Sequence, residues 1–206
     1  MSQWTVVASG PSGRNLTDEN LVGRVICVNT SIKWQPLENV HYYFFRHGNE
    51  YRMFRDLLER GIKLVAFKRA NPGQSWQPDL PRGKPIPWWL SHVEQLEWTT
   101  NGWDPHAPVP TQPPWKLGEY SQAIDPIGPS AVQYALNAGA TSVHMYGLEG
   151  GWADKMSYDQ KDKRAIHCSH YHKAILQACI DACPDVDFIH YGDPLFVLEG
   201  DNITHE

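Results

Sequence analysis

No apolar run in the sequence approaches the roughly 20 residues that a membrane-spanning helix requires. The opening "MSQWTVVASG" also lacks a basic stretch followed by a long apolar segment. Both absences read as a soluble, unexported, cytoplasmic protein. Cysteine is scarce: Cys27, Cys168, Cys179 and Cys183 are too few for a disulfide scaffold in 206 residues, and Cys27 sits in the apolar run "RVICVN", where a thiol behaves as a small hydrophobe. Positive charge is in deficit as well. With 18 Lys and Arg against 23 Asp and Glu, a formal net charge of -5 and no basic patch along the chain, nothing draws a polyanion, and nucleic acid is not expected as a partner.

What the chain does hold is 41% hydrophobic residues, enough for one substantial core, so residues 1–206 are expected to form a single domain. The segments "WTVVASG" (4–10) and "GRVICVNTS" (23–31) are rich in β-branched residues and end in small polar ones, the pattern of strands. Between them "PSGRNLTDENLV" has room for a short helix. "VHYYFF" (40–45) and "IKLVAFK" (62–68) read as further strands around an amphipathic helix in "NEYRMFRDLLERG" (49–61). Later, "GPSAVQYALNAGA" (128–140) and "DKRAIHCSHYHKAILQACIDAC" (162–183) read as helices, and "TSVHMYGLE" (141–149) and "VDFIHYG" (186–192) as strands. This alternation implies an α/β fold, a Rossmann-like and mostly parallel sheet with helices on both faces.

The alternation breaks over residues 69–126, where much of the chain's 9 Trp and 16 Pro is gathered and only "WWLSHVEQLEW" (88–98) suggests a helix. Such a stretch is expected to be an insertion, serving as a lid or acceptor-side subdomain. The alternative is a proline-stiffened surface crossover whose tryptophans cover the core.

The first strand runs straight into Gly10, Pro11 and Ser12. Open α/β sheets bind ligands at the carboxyl ends of their strands. There a glycine lets a ligand approach the main chain, Pro11 sets the turn, and the Ser12 hydroxyl is a short donor for a phosphate, ribose or base atom. The plainer alternative is a strand-to-helix turn capped by Ser12. The second strand ends at Asn29, which carries both donor and acceptor groups. Gly128, Pro129 and Ser130 open a helix whose N-terminus suits an anion, and the strand that follows ends in Gly147 and Glu149.

In this order, "ASGPS", "CVNTS" and "GPSAVQYALNAGATSVHMYGLEG", with the closing helix and strand through Tyr191, resemble one superfamily over about half of the chain. It contains the bacterial sialyltransferases that use CMP-sialic acid, the related motility-accessory glycosyltransferases and the archaeal-type 6-hydroxymethylpterin diphosphokinases. The resemblance implies that Ser9, Gly10, Ser12 and Asn29 contact the nucleoside and that Gly128, Pro129 and Ser130 lie near the phosphates or the base. It also implies a histidine general base from the segment before the final helix, for which His167, His170 and His172 are candidates, with Tyr146 and Tyr158 beside the leaving phosphate. The family usually has Asp where Glu149 stands and often Asn or Gly where Ser9 stands, which leaves the donor open.

The run "HCSHYHKAILQACIDAC" is rich in metal-ligand types, but His172 is turned well away from the face shared by His167 and His170, and no Cys-x-x-Cys or His-x-x-x-His pair occurs. No metal site is expected. A general base fits better, since an imidazole with its ordinary pKa near 6.5 suits proton removal from a hydroxyl acceptor. The leading expectation is therefore a nucleotide-dependent transferase, a glycosyltransferase with a CMP-linked or similar donor that requires no cofactor. One rival is a pyrophosphoryl transferase that would need Mg²⁺ and carboxylates such as Glu149, Asp154 and Asp125. Another is a noncatalytic nucleotide-binding or protein-interaction module presenting its tryptophan-rich segment.

Overall fold

A computed structural model describes residues 1–14, 16–45, 52–68, 88–97, 115–120, 127–150 and 163–206, with backbone alone at 67, 68, 89, 90, 97 and 163–169. Eight strands form one sheet: β1 (Gln3–Val7), β2 (Arg24–Val28), β3 (Tyr42–Phe45), β4 (Lys63–Lys68), β5 (Val93–Glu97), β6 (Ser142–Tyr146), β7 (Asp187–His190) and β8 (Ile203–His205). Among the described residues the helices are α1 (Phe54–Glu59), α2 (Ile127–Asn137) and α3 (Lys163–Ala182). Every strand pairing is parallel, in the order β5-β4-β3-β2-β1-β6-β7-β8. This is an α/β fold of the Rossmann-like kind, wound outward from β1 to β5 and then from β6 to β8 on the other side.

A parallel sheet covered on both faces needs strands that are apolar at nearly every position. "TVV", "VICV" and "YYFF" meet that need, with all their residues buried. Trp4, Val6, Ile26, Val28, Phe44, Val65, Val143, Met145 and Phe188 join the core under α2 and α3. On the opposite face Val7, Val25, Cys27, Tyr43, Phe45, Leu64 and Ala66 join Phe54 and Leu57 of α1. The Phe45 and Phe54 rings lie 4.9 Å apart, which anchors that short helix to the sheet.

Two local expectations are corrected. The described residues of 11–22 form a 3-10 turn at Pro11–Gly13 and no α-helix, because Asn20 Oδ1 accepts from both the backbone N–H and the hydroxyl of Thr17 and so competes with helical bonding. "WWLSHVEQLEW" is not an α-helix: a 3-10 turn, Trp88–His92, leads into β5, where pairing with β4 overrides local propensity. Of the region 69–126, then, β5 belongs to the sheet, and Trp115 is buried in the first-face core. The strand β8 was not anticipated. Among the described residues, no helix is long and apolar enough to cross a membrane.

Candidate functional site

The winding reverses between β1 and β6, and in an open parallel sheet the carboxyl ends flanking that reversal leave a crevice. Two loops meet there. The Ala8 N–H donates to the Tyr146 carbonyl at 2.8 Å and the Gly10 N–H to the Gly147 carbonyl at 2.9 Å, so the strand pairing continues into the loops. The Ser12 hydroxyl then accepts the Gly147 N–H at 2.7 Å. The Ser12 N–H donates to Glu149 Oε1 at 2.6 Å. Glu149 is 1% exposed, and its Oε2 is enclosed with no hydrogen-bond partner.

The neighbouring strand ends are joined in the same way. Ser31 Oγ accepts the Val28 N–H at 2.9 Å and donates to the Val7 carbonyl at 2.7 Å, while Ser9 Oγ reaches the Val28 carbonyl at 3.4 Å. Asn29, half-buried at the end of β2, has a φ of 51° and is the one non-glycine residue with positive φ among the described residues. Such a conformation costs energy and concentrates at functional sites. The start of α2 closes the group: Gly128 lies against Leu148 and Ala8, and Gly128, Pro129 and Ser130 are all buried.

The structure thus brings Ser9, Gly10, Pro11, Ser12, Gly147 and Glu149 together with Gly128 at the β1–β6 crevice, and Asn29 stands at the adjoining strand end. Tyr146 is placed differently. Its side chain belongs to the core on the opposite face from α2 and α3, stacked on Tyr191 with centroids 4.0 Å apart and planes 8° apart, and burial pushes its phenol pKa up. Tyr191 also bonds His144 Nδ1 at 3.1 Å. Of the three histidines on α3, His170 is exposed. His172 has an enclosed Nδ1 without a partner, and burial pushes its pKa down to about 4, so its ring is neutral and weakly basic. The His167 side chain, Tyr158, Asp125 and Asp154 lie outside the described residues. Among the described residues, no group of three or more His, Cys, Asp or Glu side chains is placed to hold a metal ion.

Sequence reasoning passed over two buried polar groups on the α2 and α3 side. Gln133, fully buried in α2, has neither amide atom paired, and in sequence it is merely one polar residue in an amphipathic helix. His190 is also fully buried, with neither ring nitrogen in a hydrogen bond of good geometry; burial together with His205 pushes its pKa down to about 4, against the Leu148 backbone, which pulls it up. Its alternation with Phe188 in "VDFIHYG" was the available signal, since residues two apart in a strand share a face. Buried polar groups are ordinarily hydrogen-bonded, so each of these is an exception that needs a reason.

Compared with protein-family models, with curated proteins and with solved structures, the chain matches none.

Proposed function

We propose that the chain is a nucleotide-dependent transferase, specifically a glycosyltransferase that takes its sugar from a CMP-linked or similar donor. One observation carries this reading: the β1 loop, the β6 loop and the start of α2 converge on the β1–β6 crevice, the place where open α/β sheets hold nucleotides. The strained Asn29 beside it supports the same reading, because strain persists where surrounding structure holds a residue for a task. So does the order of motifs that resembles the CMP-sialic-acid enzymes.

In the proposed reaction an acceptor hydroxyl gives its proton to a histidine of α3, and its oxygen forms a new bond to the anomeric carbon. The bond from that carbon to the phosphate oxygen breaks, and the nucleoside monophosphate leaves with the electron pair. His170 takes the base role ahead of His172, since an exposed imidazole meets an acceptor more readily than a half-buried one of low basicity. The departing phosphate is assigned to the start of α2, where the helix dipole favours negative charge.

Thermal unfolding in the presence of CMP, CDP, UDP, GDP, ADP and ATP, each with and without Mg²⁺, tests the reading, because a ligand that binds only the folded chain raises its midpoint. Stabilisation by CMP without metal is the expected result. A response to ATP only with Mg²⁺ would replace the reading with pyrophosphoryl transfer, and no response to any nucleotide would remove it.

A further inference from the structure

The reversal of winding between β1 and β6 also leaves part of the sheet bare. Parallel crossovers share one hand, so connections that step outward from β1 lie on one face and those that step the other way lie on the opposite face. Leu21, Ile32 and Val40 of the first connections join Phe54 of α1 against the first face. Phe196 and Leu198, between β7 and β8, join α2 and α3 against the second. Among the described residues, no connection covers β7 and β8 on the α1 side. Burial along β7 shows it: Phe188 and His190 are buried, whereas Ile189 is half-buried and Asp187 exposed. An interior strand of a parallel sheet is ordinarily covered on both faces.

Alternation along β6, β7 and β8 sets His144, Ile189, Tyr191 and Thr204 on the bare strip, all half-buried. The border of the strip carries one sign of charge. Asp187 and Glu206 stand on it, and Asp185 and Asp201 lie at the amino ends of β7 and β8. On the β1 side, Asp18 and Glu19 precede Asn20, which bonds the Tyr146 hydroxyl. All six carboxylates are exposed. All 18 Lys and Arg of the chain lie before residue 174, alongside 16 Asp and Glu, whereas the last 33 residues hold seven Asp and Glu and no Lys or Arg.

We propose that this strip docks an amphipathic helix of a second protein, its apolar stripe on Ile189 and Tyr191 and its Lys or Arg residues along both flanks. Three strands about 4.8 Å apart make a strip about 10 Å wide. That is the width of one helix. A second copy of this chain would set acid against acid across a symmetric contact, and the same charge turns away nucleic acid and anionic lipid. The surface does not depend on the nucleotide reading.

The test titrates the full chain with three synthetic helices of about four turns each. One has Leu at i, i+3, i+4 and i+7 with Lys flanks, one the same stripe with Glu flanks, and one Lys flanks with Gln in place of Leu. The Ile189 and Thr204 amide resonances are expected to move with the Leu–Lys helix, less with the Gln–Lys helix and not with the Leu–Glu helix. Asp187→Lys combined with Glu206→Lys is expected to weaken the Leu–Lys helix at least about tenfold, and raising salt from about 0.05 to about 0.5 M is expected to weaken it too. Both positions are exposed, and an unchanged thermal midpoint confirms that the variant folds; if it does not, the salt response and the Leu–Glu helix decide. Equal binding of the Lys and Glu helices, full affinity in the folded double variant, amide shifts confined to other parts of the sheet, or no binding at all overturns the proposal. So does an Ile189 amide that moves on dilution of the protein alone, which would show a second copy on the strip, or one that spermine moves as far as the Leu–Lys helix does, which would reduce the strip to a site for small polycations.

Discussion

The Ser12 hydroxyl accepts the Gly147 N–H at 2.7 Å, which ties the loop after β1 to the loop after β6 across 135 residues of chain. Ser12→Ala leaves that half-buried N–H without its acceptor, at a cost of about 1 to 2 kcal/mol. Urea unfolding of the variant is expected to show a lower midpoint with an unchanged slope, since the surface exposed on unfolding stays the same.

Crowding at the crevice separates two glycines of similar backbone. Gly192 and Gly139 both have positive φ, 100° and 82°, but a Cβ at Gly192 meets Glu149 and Ser12, whereas one at Gly139 meets nothing within 4 Å. Gly139→Ala is expected to cost about 1 kcal/mol, the backbone penalty alone. Gly192→Ala is expected to cost about 1 to 3 kcal/mol beyond that. Equal losses in denaturant unfolding would show that the packing around Glu149 is loose.

Stability should depend on pH through His172 and His190, both held down to about 4. Below the ordinary value of 6.5 the unfolded chain takes up protons at these positions while the folded chain does not. The unfolded state then binds more protons, so stability is full above that value and falls as pH drops towards about 4, where the two states become alike. The slope is about 1 kcal/mol per pH unit for each histidine. Replacing His190 by Phe, next to Phe196 at 6.0 Å, removes one titrating group and is expected to flatten the fall, with His172 and the burial-lowered His144 accounting for what remains.

Much of the fold was legible because parallel strands announce themselves. "TVV", "VICV" and "YYFF" are buried at every position and, Thr5 apart, hydrophobic, and such runs form buried strands with little competition. The edges were not legible for the same physical reason in reverse. In β5 the described residues are half-buried or exposed, and β8 has three residues, so neither carries a hydrophobic pattern to read. At the crevice, the glycines and Ser12 were visible from their position at a strand end. The bond between Ser12 and Glu149 was not, because nothing local to either residue encodes a partner 137 positions away. The unpaired state of Gln133 is likewise a product of packing.

If His170 is the base, His170→Ala is expected to lower kcat by about 10²- to 10⁴-fold with little change in KM for the donor. Release of CMP from a CMP-linked sugar, measured with and without an acceptor, reads this directly. His172→Ala serves as the comparison, since its half-buried ring with an enclosed Nδ1 is expected to affect stability rather than turnover. A larger loss of kcat from His172→Ala than from His170→Ala would reverse the assignment.

Asn29 allows backbone and side chain to be separated. Its φ of 51° is strained for any residue with a Cβ, though Asn tolerates it better than most. Asn29→Ala keeps the strain and loses the amide, whereas Asn29→Gly loses the amide and relieves the strain. The Gly variant is therefore expected to be more stable than the Ala variant by about 1 kcal/mol. If the amide reads the nucleoside, both variants lose the same share of CMP affinity in a calorimetric titration, because stability and recognition then reside in different atoms. Retention of affinity by Asn29→Gly alone would mean that Asn29 serves the crevice only through the turn it makes.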